Sequence, residues 1–247
     1  MTDEPATPDR QRGFFESFDG LADLLRQPGG PASRVPAGVP AAGNDAAAYR
    51  PVLRLPMALL HVVDDGREDG EVVRIRGDRL VIGRSEGDVV VGHDISMSPR
   101  HAAVERLASG GWQLADLGSS AGTFVRVTTA RLRHGSTILI GRTRLAFEEA
   151  DLTEAWFIET APGGGGRRHE CHAPAASIGR SGTDCTIRLD DPCVSPVHAR
   201  VKRSPRGWRI DNHGANGLWV RIDGPVEMRA VAQFLCGEQR FVFEPLG

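Results

Sequence analysis

Three short segments decide how this chain folds. They read VIGR at Val81–Arg84, MSPRHA at Met97–Ala102 and DLGSSAGT at Asp116–Thr123. The first begins as an apolar run and stops at Gly-Arg, while the other two are rich in small polar residues, glycine and proline. That pattern is typical of strands that end in functional loops.

All three segments occur a second time. They return as SIGR at Ser177–Arg180, VSPVHA at Val194–Ala199 and DNHGANGL at Asp211–Leu218. The second arginine follows the first by 96 residues. A period this long exceeds that of solenoid repeats, so the pattern predicts two whole domains in tandem.

Length, composition and charge narrow the class of protein. A chain of 247 residues accommodates two domains of about 90 to 100 residues and a tail. The net charge of −2 gives no overall basic field, which argues against nucleic-acid binding. No apolar run approaches the roughly 18 residues that span a bilayer, and the acidic start MTDEP does not resemble a signal peptide. We therefore expect a cytoplasmic protein without membrane insertion.

The cysteines and histidines predict neither disulfides nor a metal centre. Cys171, Cys185, Cys193 and Cys236 form no C-x-x-C pair, so free thiols in or near a core are expected. The run HECH at His169–His172 has no matching distal pair of ligands. We expect no metal and no cofactor.

The first 56 residues differ from the rest of the chain. Residues 1–56 are rich in proline, alanine and glycine and are predicted to form a flexible tail, with a helix possible over 13–26. The segment Gly13–Leu25 carries four apolar residues at helical spacing: Phe14, Phe18, Leu21 and Leu25. Two interpretations stay open, a short helix that folds back on its own domain and a motif that docks into a partner.

From Met57 onward the pattern changes to short apolar runs broken by turn residues. Many short strands with close turn signals predict an all-β protein made of antiparallel β-sandwiches. The repeat places one domain at 57–150 and the other at 155–247, with only a short connection between them. Four aromatic residues at strand spacing are assigned to the core: Trp112, Trp208, Phe147 and Phe243.

The repeated residues suit one kind of ligand. Gly83 and Arg84 place a guanidinium just past the end of a strand, Ser98 adds a hydroxyl, and the loop 118–122 adds small side chains and exposed backbone. A guanidinium, hydroxyls and amides on the loops of a rigid sandwich favour a doubly charged tetrahedral anion. A phosphorylated side chain is the prime candidate.

With these motifs the chain resembles the forkhead-associated (FHA) domains. Their signature is Gly-Arg, then Ser-x-x-His, then a Ser/Thr-Asn-Gly-Thr loop, and the resemblance covers residues 57–247 as two copies. It implies two eleven-stranded β-sandwiches that bind phosphothreonine peptides through the loops at one end.

The resemblance also implies roles for individual residues. In the first domain the phosphopeptide would contact Arg84, Ser98 and Ser120, with Arg100 either a supplement to that site or an ordinary solvated residue. In the second domain the corresponding residues are Arg180, Ser195 and Asn216. His101 and His198 would support the loops without touching the ligand.

Each copy departs from the family pattern. Pro99 and Pro196 follow the two serines and offer neither a cation nor a backbone N–H. Ala121 replaces the asparagine in the first copy, while Ala215 and Leu218 replace the hydroxyl residue and the threonine in the second. Because both arginines remain, weakened rather than abolished phosphate binding is expected.

The predicted function is that of a phosphothreonine-peptide-binding adaptor in Ser/Thr-kinase signalling, with no catalytic residues. Its partner would be a phosphothreonine-containing protein, either a Ser/Thr kinase or a kinase substrate. The alternative is a scaffold or assembly protein that uses degenerate FHA folds independently of phosphate. Self-association is a further hypothesis, because Thr2 and Thr7 lie in the tail and, once phosphorylated, could reach a site in cis or in trans.

An enzyme remains a weaker hypothesis. Residues 118–122, GSSAG, fit the G-x-S-x-G pattern of a nucleophile elbow. That motif needs a strand before the serine and a helix after it, whereas the residues from Thr123 onward have strand character.

Overall fold

A computed structural model describes residues 58–63, 70–150, 154–160, 166–172 and 174–246. Within these ranges the chain contains twenty β-strands and no helix, so the all-β prediction is confirmed. No helix that could span a membrane occurs in this part of the chain. The helix predicted over 13–26 lies outside the described residues.

Among the described residues each repeat contributes ten strands, where the resemblance implied eleven. The strands of the first repeat are β1 (Ala58–Val63), β2 (Val72–Ile75), β3 (Arg79–Gly83), β4 (Val89–Val90), β5 (Ala102–Arg106), β6 (Trp112–Asp116), β7 (Thr123–Val127), β8 (Thr129–Leu132), β9 (Thr137–Ile140) and β10 (Thr143–Glu149). Those of the second repeat are β11 (Glu154–Glu159), β12 (Arg168–His172), β13 (Ala175–Arg180), β14 (Ile187–Leu189), β15 (Ala199–Ser204), β16 (Gly207–Asn212), β17 (Leu218–Arg221), β18 (Val226–Met228), β19 (Ala232–Cys236) and β20 (Gln239–Pro245).

The strands form three sheets. One sheet has ten strands in the order β12-β11-β10-β9-β17-β7-β19-β20-β1-β2. The two others have five strands each, in the orders β18-β6-β5-β3-β4 and β14-β13-β15-β16-β8. The large sheet therefore runs through both halves of the molecule, and one small sheet covers each half.

Aromatic contacts join the layers. Trp112 on β6 packs against Phe243 on β20 with ring centroids 5.8 Å apart, and Trp208 on β16 packs against Phe147 on β10 at 6.1 Å. All four side chains are buried, which confirms their assignment to the core. The four cysteines carry free thiols, as predicted.

The strand pairing crosses between the repeats. The last three strands of the second repeat, β18, β19 and β20, pair with β6, β7 and β1 of the first. Conversely, β8, β9 and β10 of the first repeat pair with β16, β17 and β11 of the second. The sandwiches thus do not follow the segments 57–150 and 155–247, because each takes its last three strands from the other repeat.

A very short connection explains this exchange. Only Thr128 lies between β7, in the ten-stranded sheet, and β8, in a five-stranded sheet. Because the sheets of a sandwich lie about 10 Å apart, one residue cannot carry the chain back across its own sandwich to a place beside β6. The chain therefore continues from β7 straight into the other sandwich. In the middle of the large sheet, β7 pairs antiparallel with β17, with Val125 opposite Val220.

Candidate functional site

In the first repeat, the end of β3 and the segment that follows Met97 lie side by side. Arg84 donates its backbone N–H to the carbonyl of Ser98 at 2.9 Å, and Glu86 donates to the carbonyl of Pro99 at 3.0 Å. A Cβ atom on Gly83 would overlap the carbonyl oxygens of Pro99 and Glu86, so only glycine permits this approach. The glycine of the Gly-Arg motif therefore brings Arg84 beside Ser98.

A buried histidine connects this segment to the next loop. His101 accepts the Ser98 N–H at Nδ1 (3.1 Å) and makes a contact of 3.2 Å from Nε2 to the carbonyl of Gly122. A ring that accepts at Nδ1 must carry its proton on Nε2, so His101 donates to Gly122 as a neutral imidazole. Burial lowers the pKa of His101, which favours the same state. The ring of His101 thus contacts both the Ser98 segment and the end of the loop 118–122.

The hydroxyl of Ser98 anchors the loop 118–122. Its Oγ accepts the backbone N–H of Ser120 at 3.0 Å and lies 3.2 Å from the Oγ of Ser120. Both hydroxyls therefore lie together, next to the backbone contact between Arg84 and Ser98. These three predicted site residues are brought into one region.

The shape of that loop depends on an acidic residue that the motif analysis did not single out. Asp116 accepts hydrogen bonds from the N–H groups of Gly118 and Ser119, at 2.9 and 2.8 Å, and from the hydroxyls of Ser119 and Thr123, both at 2.6 Å. Burial acts to raise the pKa of the Asp116 carboxyl, but these hydrogen bonds outweigh it and hold the pKa below its usual value. The spacing D-x-x-S, typical of a side chain that folds a loop on itself, is the signal that could have identified it.

The guanidinium of Arg84 is available for a ligand. Arg84 is half-buried, and among the described residues it has no ion pair and no side-chain hydrogen bond. Arg100 is exposed and likewise has no partner in the described ranges. A partly buried, unpaired guanidinium beside two hydroxyls is an arrangement suited to an anion.

The second repeat builds the same framework. Arg180 donates its backbone N–H to the carbonyl of Ser195 at 3.1 Å. His198 accepts the Ser195 N–H at 3.0 Å and contacts the carbonyl of Gly217 at 2.9 Å. The backbone N–H of Ala215 donates to Ser195 Oγ at 3.2 Å, as Ser120 does to Ser98 in the first repeat. The two sites are equivalent in backbone and in histidine support.

The residues that would face a ligand in the second site differ from those of the first. Arg180 is exposed and has no ion partner within the described parts of the chain. Ala215 supplies no hydroxyl, and the side-chain amide of Asn216 donates to the carbonyl of Cys193 at 2.8 Å. The Asn216 amide N–H is therefore engaged within the loops, and its side-chain oxygen has no hydrogen-bond partner among the described residues. A Cβ on Gly214 would overlap the ring of His198, so this loop packs directly on the histidine.

Two further carboxylates, also not singled out from the sequence, hold the serine-bearing loops in place. Asp94 accepts the N–H groups of Ser96 and Glu238 at 2.9 and 2.8 Å. Asp191 accepts those of Cys193 and Arg142 at 2.8 and 2.6 Å. Each aspartate thus joins a recognition loop to a turn that comes from the other repeat. Their spacing of 97 residues, equal to that of the two histidines, was the available signal.

The surroundings of the GSSAG segment do not match a nucleophile elbow. Thr123 begins strand β7 directly after it, and no helix follows. Ser120 Oγ contacts Ser98 Oγ and has no basic side chain as a partner among the described residues. No group of three or more metal-ligating side chains lies together in the described parts of the chain.

Comparison with known protein families gives a specific match. A model of the FHA domain matches the chain twice, at residues 80–141 and 176–233. Both segments contain the arginine, serine and histidine whose geometry is described above. No curated protein matches the chain significantly.

Three solved structures with similarity to the chain have low sequence identity to it. The FHA domain of the CT664 protein from Chlamydia trachomatis is 12% identical over 77% of this chain and 99% of its own, with a TM-score of 0.35. EmbR of Mycobacterium tuberculosis, in a complex with a low-affinity phosphopeptide, is 24% identical over 38% of this chain and 24% of its own, with a TM-score of 0.26. A structure from an analysis of phosphothreonine-dependent FHA domain interactions is 26% identical over 38% of this chain and 98% of its own, with a TM-score of 0.25.

Proposed function

This chain belongs to the forkhead-associated (FHA) family, with two copies of the domain, and from that premise we propose that it is an adaptor that binds phosphothreonine-containing peptides. The phosphate would be held at two rims, by Arg84 with Ser98 and Ser120 and by Arg180 with Ser195. Asn216 would contact the peptide backbone in the second site, and His101 and His198 would keep the loops in position.

One observation carries this proposal. Both arginines lie at a rim beside a serine hydroxyl, and neither guanidinium is neutralised by a carboxylate among the described residues. An unpaired cation with neighbouring hydroxyl and amide donors binds a phosphate dianion more strongly than a neutral hydroxyl. Because both repeats have this arrangement, it is not a chance feature of one loop.

The two sites differ in what they offer the phosphate. The first combines a half-buried Arg84 with two hydroxyls, from Ser98 and Ser120, which lie 3.2 Å apart. The second has an exposed Arg180 and the single hydroxyl of Ser195. Since screening by water weakens the attraction of exposed charges, the first site is the stronger phosphate site in this proposal.

The class of partner follows from the ligand. A phosphothreonine is made by a Ser/Thr kinase, so the adaptor would act in a cytoplasmic signalling system on a kinase or on one of its substrates. A phosphorylated threonine of the chain's own tail would make self-association a variant of the same mechanism. The proposed function involves neither nucleic-acid binding nor membrane insertion.

A phosphate-independent scaffold is the second candidate. The observation that favours it is the engaged amide of Asn216, which donates to the carbonyl of Cys193. Together with Ala121 and Ala215, this leaves few side chains to clamp a peptide. A scaffold of this kind would bind a partner equally well whether or not its threonine is phosphorylated.

The test is a titration of the full chain with a degenerate phosphothreonine peptide library and its unphosphorylated counterpart, followed by fluorescence anisotropy. Arg84→Ala is expected to weaken phosphopeptide binding at the first site by roughly ten- to a hundredfold, as a charge-assisted hydrogen bond contributes about 1.5–3 kcal/mol. Arg180→Ala should weaken the second site in the same direction. The double variant should bind both libraries alike.

Arg76→Ala is the matched control, because Arg76 is an exposed arginine before the start of β3, at the opposite end of that strand from Arg84. It should leave both affinities unchanged. Equal binding of phosphorylated and unphosphorylated libraries by the unaltered chain would exclude the phosphopeptide adaptor and support the scaffold.

A further inference from the structure

The ten-stranded sheet has one face turned to the core and one turned away from it. On β7, Val125 and Val127 belong to the core, so Phe124 and Arg126 point to the opposite face. On β17, Val220 belongs to the core, and its neighbours in sequence point away in the same manner. Since the five-stranded sheets cover the core side, this second face carries no strand layer in the described part of the molecule.

Two rows of side chains cross the middle of that outer face. The strand registers align Arg144 with Leu139, Trp219 and Arg126 in one row. They align Arg221 with Phe124, Leu235 and Arg240 in the other. Each row therefore reads arginine, two apolar residues, arginine, and we call these eight residues the arginine face.

The four arginines of this face are not neutralised. None of them has a carboxylate partner among the described residues. Burial, followed by repulsion from Arg240, lowers the pKa of Arg126, and burial with repulsion from Arg221 does the same for Arg144. The charges therefore repel one another across the sheet, and an anionic occupant would relieve this repulsion.

The face also offers apolar surface and aromatic rings. Arg144 lies over the ring of Phe124 at 5.1 Å and Arg126 over that of Trp219 at 6.0 Å. Leu139 and Leu235 are half-buried between them. A ligand that matches this face must combine negative charge with apolar side chains.

We propose that residues 13–25 of the same chain dock on the arginine face. This segment contains three carboxylates, Glu16, Asp19 and Asp23, and no lysine or arginine. It also contains three phenylalanines and three leucines among its thirteen residues. Its charge is therefore opposite to that of the face, and its apolar content matches the leucines and rings between the arginines.

The chain length permits this contact within one molecule. Thirty-two residues, 26–57, join the segment to Ala58 at the start of β1. Strand β1 is three positions from β7 in the same sheet, a distance of about 14 Å at the usual strand spacing. Thirty-two residues can extend to roughly 100 Å, so the segment reaches every part of the face.

The docked segment would lie behind both phosphate sites without occupying them. A Cβ on Gly122 would overlap the guanidinium of Arg221, and one on Gly217 would overlap that of Arg126. These glycines follow the two recognition loops directly. The arginine face is thus a separate surface that touches the backs of both loops, and its occupation does not depend on phosphate binding.

The test places the photoreactive residue p-benzoylphenylalanine at position 18 of the full chain and maps the cross-links by mass spectrometry. We expect intramolecular cross-links to peptides that contain 123–127, 217–222 or 233–240. Arg221→Glu should lower their yield about fivefold, since it removes one of the four positive charges of the face and adds a negative one. Arg200→Glu, on a different sheet, is the matched control and should leave the yield unchanged.

A second variant keeps the test decisive if Arg221→Glu unfolds the sandwich. Asp19→Arg with Asp23→Arg alters only the segment and should lower the yield in the otherwise unaltered chain, since Glu16 is then the only carboxylate left among residues 13–25. A mixture of isotope-labelled and unlabelled protein separates cross-links within one chain from those between chains. Cross-links mainly between chains, cross-links to other surfaces, or a yield that ignores these charge reversals would overturn the proposal.

Discussion

Asp191 accepts a hydrogen bond from the backbone N–H of Arg142 at 2.6 Å, although the two residues belong to different repeats and are 49 positions apart. The same carboxylate accepts the hydroxyl of Thr143 at 3.0 Å and the N–H of Cys193 at 2.8 Å. The loop that leads to Ser195 is therefore fixed by the last hairpin of the first repeat. The exchange of strands between the repeats therefore also determines contacts that position the loop of the second site.

Replacing Asp191 by alanine should lower the free energy of unfolding by about 1–3 kcal/mol, since it leaves partly buried N–H groups without an acceptor. It should also weaken phosphopeptide binding at the second site more than at the first. Urea unfolding of the full chain and the peptide titration would measure the two effects. Asp190→Ala is the matched control, because Asp190 is exposed and has no partner among the described residues; an equal loss in both variants would contradict the role of Asp191.

The same carboxylate should contribute to acid sensitivity. Burial acts to raise the pKa of Asp191, but hydrogen bonds from Arg142, Cys193 and Thr143 outweigh it and lower the pKa below 3.8. A carboxyl whose pKa is lowered by folding stabilises the protein above the unfolded pKa, and this contribution is lost as the pH falls through the folded value. Unfolding free energies measured from pH 6 down to pH 3 should therefore fall more steeply for the unaltered chain than for Asp191→Ala. Parallel curves would exclude this contribution.

The first repeat should not form a closed monomer when it is produced alone. Its strands β8 to β10 cannot fold back beside β6 and β7, because only Thr128 separates β7 from β8. Residues 57–150 are therefore expected to pair as a strand-exchanged dimer or to remain unfolded. Light scattering after size-exclusion chromatography would give the mass of the species.

Insertion of Asn-Gly after Thr128 lengthens the connection between β7 and β8 and is the companion variant. It should convert the isolated repeat to a folded monomer. A monomer that unfolds cooperatively without the insertion would show that the short connection does not impose the exchange.

Much of the fold could be predicted from the sequence, but the exchange could not. The repeated motifs and alternating apolar runs predict strands and sandwiches, and the core aromatics follow from the same pattern. However, β10 and β20 have similar patterns, TRLAFEE at Thr143–Glu149 and QRFVFEP at Gln239–Pro245. Either strand can pair with β1 on local criteria, so only the length of the connection after β7 indicates which one does.

The candidate site, like the fold, could be predicted from the sequence only in part. Arg84, Ser98 and His101 stand in a recognisable spacing, and the structure brings them together. Asp116 and Asp94 act through loop geometry, which depends on where chain segments that are distant in sequence meet. Asp94 in particular binds the turn before β20, 144 residues away, and no local pattern contains that contact.

Ala121→Asn should strengthen peptide binding at the first site. The equivalent Asn216 donates to the carbonyl of Cys193 in the second loop, and an asparagine at 121 would gain a side chain able to bind both the loop and the peptide backbone. One neutral hydrogen bond contributes about 0.5–1.5 kcal/mol, so affinity should rise roughly two- to tenfold. The anisotropy titration would measure it in an Arg180→Ala background. Ala121→Leu adds similar bulk without hydrogen bonds and serves as the control; equal gains in both would show that size alone is responsible.

His101 should make the stability of the chain depend on pH below neutrality. Burial lowers the pKa of His101 below 6.5, so the folded protein holds the ring neutral under conditions in which the unfolded chain protonates it. For such a group the unfolded state binds more protons, and stability is lost as the pH falls below the unfolded pKa. Between pH 7.5 and pH 5.5 the free energy of unfolding should therefore fall more steeply in the unaltered chain than in His101→Gln. His93→Gln is the control, since His93 is exposed and has no partner in the described part of the chain; it should keep the full pH dependence. If His101→Gln also keeps it, the proton is taken up elsewhere, and the neutral ring is not what joins Ser98 to Gly122.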